Sequence, residues 1–119
     1  MSGFDCSGLV QEILASVGMD PPGDQTAQKL YDFFVKPSVV GVRRAGALAF
    51  YGKSVTQITH VAFMIDGLRV VEAGGGGSRT LSEADASAQN AFVRMRMVDH
   101  RTDLVATLLP PYPPAITPW

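Results

Sequence analysis

The apolar pattern of this chain changes period near Gly46, and no fold built from one kind of secondary structure accommodates both halves. Over residues 6–17, Leu9, Val10, Ile13, Leu14 and Val17 recur at helical spacing, and Gly18 follows where a left-handed residue would end the helix. Asp5 stands ahead of this segment as a candidate N-cap. Pro21, Pro22 and Gly23 then break the chain, and Asp24 or Thr26 can start a second helix through Leu30, Phe33 and Phe34 that ends before Pro37. Beyond Gly46 the runs are short, β-branched and aromatic, at 47–51, 60–65, 68–73 and 92–98, and they read as strands of one antiparallel sheet. Between the last two, the glycines of 74–77 form a loop, and 82–91, with Ser82 as N-cap, suits one short helix.

Helices first and strands second predict an α+β domain with its helices packed on one face of an antiparallel sheet. At 119 residues the chain fits one such domain, over 1–109. The segment 110–119 carries Pro110, Pro111, Pro113, Pro114 and Pro118 and is expected as an extended strap over the surface. Apolar residues at 46% against charged residues at 18% describe a chain that folds. A formal charge of −1 leaves no positive excess to draw it onto nucleic acid or anionic lipid, so neither is expected as a partner. No apolar run approaches the roughly 20 residues of a membrane span, and no basic-then-apolar leader opens the sequence.

The only cysteine, Cys6, excludes an internal disulfide, and with His60 and His100 as the only histidines a thiolate-rich zinc site is not expected. No metal or organic cofactor is anticipated. A thiol at the start of a helix lies among unpaired backbone N–H groups and the positive end of the helix dipole, which favour thiolate. The N–H groups of Cys6 and Ser7 are also placed to stabilise an oxyanion. A free cysteine is as readily a small buried hydrophobe, so position alone does not decide.

His60 opens an apolar strand, and Glu72 interrupts Val70-Val71-Glu72-Ala73, where an unpaired buried carboxylate would be expensive. Asp66-Gly67 marks the hairpin between them. A two-residue loop would put the two side chains on opposite faces of the sheet. A three-residue loop, Ile65-Asp66-Gly67 with Gly67 in the left-handed bulge position, pairs Met64 with Leu68 and sets His60 directly across from Glu72. The second arrangement gives both polar groups a partner and is the one predicted. Cys6, His60 and Glu72 would then serve as nucleophile, base and orienting group for acyl transfer. His100, in a polar stretch after the last of these strands, reads as a solvated surface residue, and Arg79, Arg94 and Arg96 as ordinary charges on an exposed face.

Four segments in order, Asp5-Cys6-Ser7-Gly8-Leu9-Val10, Gly46-Ala47-Leu48-Ala49-Phe50-Tyr51, His60-Val61-Ala62 and Val71-Glu72-Ala73-Gly74, resemble the NlpC-type cell-wall peptidases. The resemblance implies a reduced papain-like fold and carries the family's nucleophile onto Cys6, its base onto His60 and its third, polar position, often a histidine, onto Glu72. It also implies hydrolysis of peptidoglycan stem peptides, commonly between D-glutamate and a diamino acid, and action at the bacterial cell wall. Glu72-Ala73 with the glycines that follow, and Asn90-Ala91-Phe92-Val93-Arg94, look most like the phage or prophage branch, with delivery on a phage tail and tail proteins as partners. Relatives usually carry an aromatic, glycine-rich segment before the Asp-Cys pair, where here Met1 to Phe4 stand. A catalytically weak structural or wall-binding tail module is therefore the alternative expectation, and an acyltransferase on the same scaffold a third.

Overall fold

The computed structural model describes residues 6–73 and 93–113. Its elements follow in the order α1 (Cys6–Ala15), α2 (Ala27–Phe34), β1 (Val39–Val40), β2 (Leu48–Gly52), β3 (Ile58–Met64), β4 (Arg69–Ala73), β5 (Val93–Met97) and β6 (Leu104–Leu109). The six strands form one antiparallel sheet in the order β1-β6-β2-β3-β4-β5. The α+β expectation is met. Asp5, the 74–77 loop, the 82–91 helix, Arg79 and the end of the proline-rich segment lie outside the described residues.

α1 ends as its sequence suggests. Gly18 adopts φ +73°, Gly18 N donates to Ala15 O at 3.1 Å, and Met19 N donates to Leu14 O at 2.9 Å, the paired bonds that close a helix through a left-handed glycine. Of the two candidate caps for α2, Thr26 is the one used: its side chain accepts from Lys29 N at 3.1 Å, a contact worth about 1 kcal/mol. Two glutamines stitch the helices down. Gln11 on α1 donates to Gly23 O (2.8 Å) and accepts from Gln25 N (2.9 Å). Gln28 on α2 accepts from Ile58 N (2.7 Å) and donates to Val55 O (2.8 Å), tying α2 to the turn before β3.

The sheet divides the interior in two. On the helix side, Val10, Leu14, Leu30 and Phe34 pack with Leu48, Phe50, Val61 and Leu108. On the opposite side the cluster is built of smaller residues, Ala47, Ala49 and Ala62, with Tyr51, Met64, Val70 and Val98. At the end of β2, a Cβ on Gly52 would run into the backbone carbonyl of Gln57, so only glycine permits the register shift that follows Tyr51.

Two strands were not foreseen. β6 inserts between β1 and β2, so 93–97 is not the last strand but an edge. Its sequence, Leu104-Val105-Ala106-Thr107-Leu108-Leu109, alternates weakly and runs into Pro110, which masked it. Residues 110–113 carry no regular element, and Tyr112 donates its hydroxyl hydrogen to Gly46 O at 2.6 Å.

The β3–β4 hairpin departs from the predicted register. Met64 pairs with Val70 and Phe63 with Val71, and Ile65 N donates to Arg69 O at 2.9 Å, so the loop is Asp66-Gly67-Leu68. Gly67 is not among the positive-φ glycines, so it fills no left-handed bulge. The Asp66 carboxylate explains the displacement: Oδ1 accepts from Leu68 N and Arg69 N, both at 2.8 Å, and Oδ2 from Arg69 Nε at 2.7 Å. This side-chain turn moves the reversal one residue onward. The pairing slips by two, and a slip of two preserves faces. His60 is therefore diagonal to Glu72, not opposite it, and still on its side of the sheet.

Candidate active site

Cys6 is the first residue of α1, partly buried against the helix-side core. Ser7 is buried beside it. His60 lies in β3 across from Tyr51. Among the described residues the β3–β4 ladder ends at Phe63 and Val71, and the imidazole stands beyond that end, where α1 and β4 both reach it.

His60 Nε2 donates to Glu72 Oε1 at 2.7 Å, and Cys6 lies near enough to the same ring to favour its protonation. Nε2 being taken by Glu72, Nδ1 is the nitrogen open to the thiol. Burial works against protonation of His60 and is the largest single influence, but the hydrogen bonds and charges of Cys6 and Glu72 outweigh it and raise the imidazole pKa from 6.5 to about 9. Glu72 is 3% exposed. Burial alone would raise its pKa; the hydrogen bond and charge of His60, with His100 and Arg94, overcome it and hold the carboxyl below the ordinary carboxylate range. The three side chains singled out from the sequence are thus brought together as thiol, imidazole and carboxylate.

The surroundings of Glu72 differ from expectation. His100 is not a solvated surface residue: its side chain is 15% exposed, with Nε2 3.6 Å from Glu72 Oε2. Arg94 Nε lies 3.5 Å and Arg96 Nε 4.0 Å from the same oxygen. β5 presents Val93, Met95 and Met97 outward and turns its arginines inward, the reverse of the expected assignment. The reason is pairing: Glu72 lies opposite Arg94 and Val70 opposite Arg96, so both arginines share the face of the buried carboxylate.

Tyr51 was read only as a strand residue, yet it is fully buried beside the site. Its ring centroid lies 5.4 Å from that of His60 and 5.9 Å from that of His100. Its hydroxyl donates to Val98 O at 2.6 Å. Burial foremost, then the charge of Glu72, pushes its pKa up to about 12, so it stays a neutral donor. A tyrosine in a run of apolar strand residues was the one available signal, since a buried hydroxyl needs a partner.

Among the described residues no cluster of three or more His, Cys, Asp or Glu side chains is arranged to hold a metal ion, and no helix is long and apolar enough to cross a membrane.

A family model described as the NlpC/P60 family matches residues 1–100. No curated protein and no solved structure matches the chain.

Proposed function

The chain belongs to the NlpC/P60 family, whose members are typically cell-wall cysteine peptidases, and from that premise we propose that it hydrolyses an amide bond of peptidoglycan stem peptides with Cys6 as nucleophile. The observation that carries this reading is the His60 imidazole, held by the buried Glu72 carboxylate at 2.7 Å and close enough to Cys6 for that residue to favour its protonation. A histidine held only for structure needs one such partner; two of these types, on a helix start and a neighbouring strand, make a nucleophile, a base and an orienting group. The helix-on-sheet arrangement that brings them together is consistent with a reduced papain-like fold.

In the first step His60 takes the thiol proton as the Cys6 sulfur attacks the scissile carbonyl carbon, and the backbone N–H groups of Cys6 and Ser7 receive the developing oxyanion. As the C–N bond breaks, His60 gives its proton to the leaving amine and a thioester remains on Cys6. Water then attacks the thioester carbonyl, His60 takes its proton, and the C–S bond breaks to release the acid and restore the thiol. Glu72 fixes the ring and stabilises its charged form throughout. The substrate proposed is the bond between D-glutamate and a diamino acid, and the place of action the bacterial cell wall.

Incubation with stem peptides containing D-glutamyl–diamino acid bonds, read by mass spectrometry, tests this. The protein should yield the two hydrolysis fragments, and Cys6→Ala should yield none while melting at the same temperature. Hydrolysis by Cys6→Ala at the original rate would exclude the mechanism. A product joined to an added amine in place of water would point to acyl transfer.

A further inference from the structure

Glu72 has a second oxygen whose surroundings the hydrolytic mechanism does not use. Oε1 accepts from His60, while Oε2 lies 3.5 Å from Arg94 Nε, 3.6 Å from His100 Nε2 and 4.0 Å from Arg96 Nε. The His100 and Arg96 separations are too long for direct hydrogen bonds, so these contacts act through charge, in a place where the carboxylate is 3% exposed and poorly screened. A terminal carboxylate torsion is soft. Left with one partner, Glu72 can rotate and offer His60 a poorly aimed oxygen; a fixed partner on Oε2 confines Oε1 to the imidazole.

Of the three neighbours, His100 is the most enclosed, its side chain 15% exposed against 34% for Arg94 and 38% for Arg96. Its Nδ1 lies 2.8 Å from Met97 O, and because a carbonyl can only accept, Nδ1 donates. Its backbone N donates to the same carbonyl at 3.1 Å. Its ring stands edge-on to Tyr51, whose hydroxyl anchors the same turn through Val98 O. Tyr51 also packs against His60, so one ring spaces both imidazoles. With Nδ1 committed to Met97 O, Nε2 is the ring nitrogen that faces Oε2.

We propose that His100 is a positioning residue that acts through Glu72, holding Oε2 so that Oε1 stays aimed at His60. The inference rests on the reading of Cys6, His60 and Glu72 as the reacting set, and it predicts an effect on His60 measurable without substrate. The groups that face His60 are Cys6 from α1, Glu72 from β4, Tyr51 from β2 and, at longer range, Asp103 ahead of β6. Deleting His100 removes a partner of Glu72, and a carboxylate less well aimed at His60 lowers the His60 pKa.

The test is the His60 imidazole titration followed by NMR in the full chain, for His100→Ala and His100→Gln, together with kcat and KM on the stem peptide. Positioning predicts that His100→Ala moves the His60 titration down by about one pH unit and lowers kcat about tenfold with KM unchanged. His100→Gln, whose flexible amide can approach Oε2 to hydrogen-bond distance and fix it there, should recover most of both. Where His100→Ala loses its fold, His100→Phe, which keeps a ring against Tyr51, makes the same comparison. A titration that stays in place or moves upward overturns the proposal, as does a Gln variant no better than Ala. If the parent protein cleaves no stem peptide, the proposed function fails while a downward titration shift still establishes the role of His100.

Discussion

The two faces of the sheet are held together by different physics. On the helix side, Val10, Leu14, Leu30, Phe34, Phe50 and Val61 interdigitate, and burial of large apolar side chains supplies the stabilisation. On the other side Ala47, Ala49 and Ala62 leave room, and the space is taken by Tyr51, His60, Glu72 and His100, polar groups tied to one another across β2, β3, β4 and the turn after β5. The first face tolerates any side chain of suitable size and shape. The second depends on each polar group having its partner, because a buried carboxylate left alone is far more costly than a missing methylene. The fold is therefore set on one face and the proposed chemistry lies on the other, and Cys6, in α1, packs with the first.

Substitutions should separate these roles. The largest effect on stability is expected for Phe50→Ala, a loss of about 3–5 kcal/mol in urea unfolding, with the pH dependence of Cys6 alkylation unaltered at temperatures where the variant is folded. On the polar face the largest effect is on turnover: His60→Ala should lower kcat/KM by about a thousandfold or more, and Glu72→Gln by about ten- to a hundredfold. Equal loss of folding in both would make the face structural and erase the distinction.

A smaller, pH-dependent effect follows from His60. Its folded pKa, about 9, lies above its ordinary 6.5, so protonation favours the folded state. That contribution is present in full below pH 6.5 and is lost as pH rises through about 9. The urea midpoint should fall over this window, and His60→Ala should flatten the fall. Glu72 acts in the opposite sense, its contribution present above the ordinary carboxylate pKa of 4.5 and lost as pH falls through its lowered folded value. The smallest effect is expected from Thr26→Ala, a loss of about 1 kcal/mol from uncapping α2, with no change in any pH profile.

The helix-side face was the readable one. Periodicity located α1 and α2, and Gly18 marked the end of the first helix, because these signals are local and repeated. The partnership of His60 and Glu72 was also legible, since polar residues in apolar segments call for partners. The register between His60 and Glu72 was misjudged by two because Asp66 carries the turn onward through its own side chain, an effect that alternation alone does not reveal. That error left the face assignment intact, because strand side chains alternate with period two. His100, Arg94 and Arg96 were misread for a different reason. Their positions depend on β5 lying beside β4 and on β6 returning between β1 and β2, pairings between segments far apart in the chain that no local pattern specifies.

The central claim, that Cys6 and His60 act as a pair, is tested most directly by the rate of Cys6 alkylation with iodoacetamide against pH, in the parent protein and in His60→Ala. The pair predicts fast alkylation below about pH 7 that is lost in the variant. A rate that rises only near the ordinary thiol pKa of about 8.5, and identically in both proteins, would contradict it.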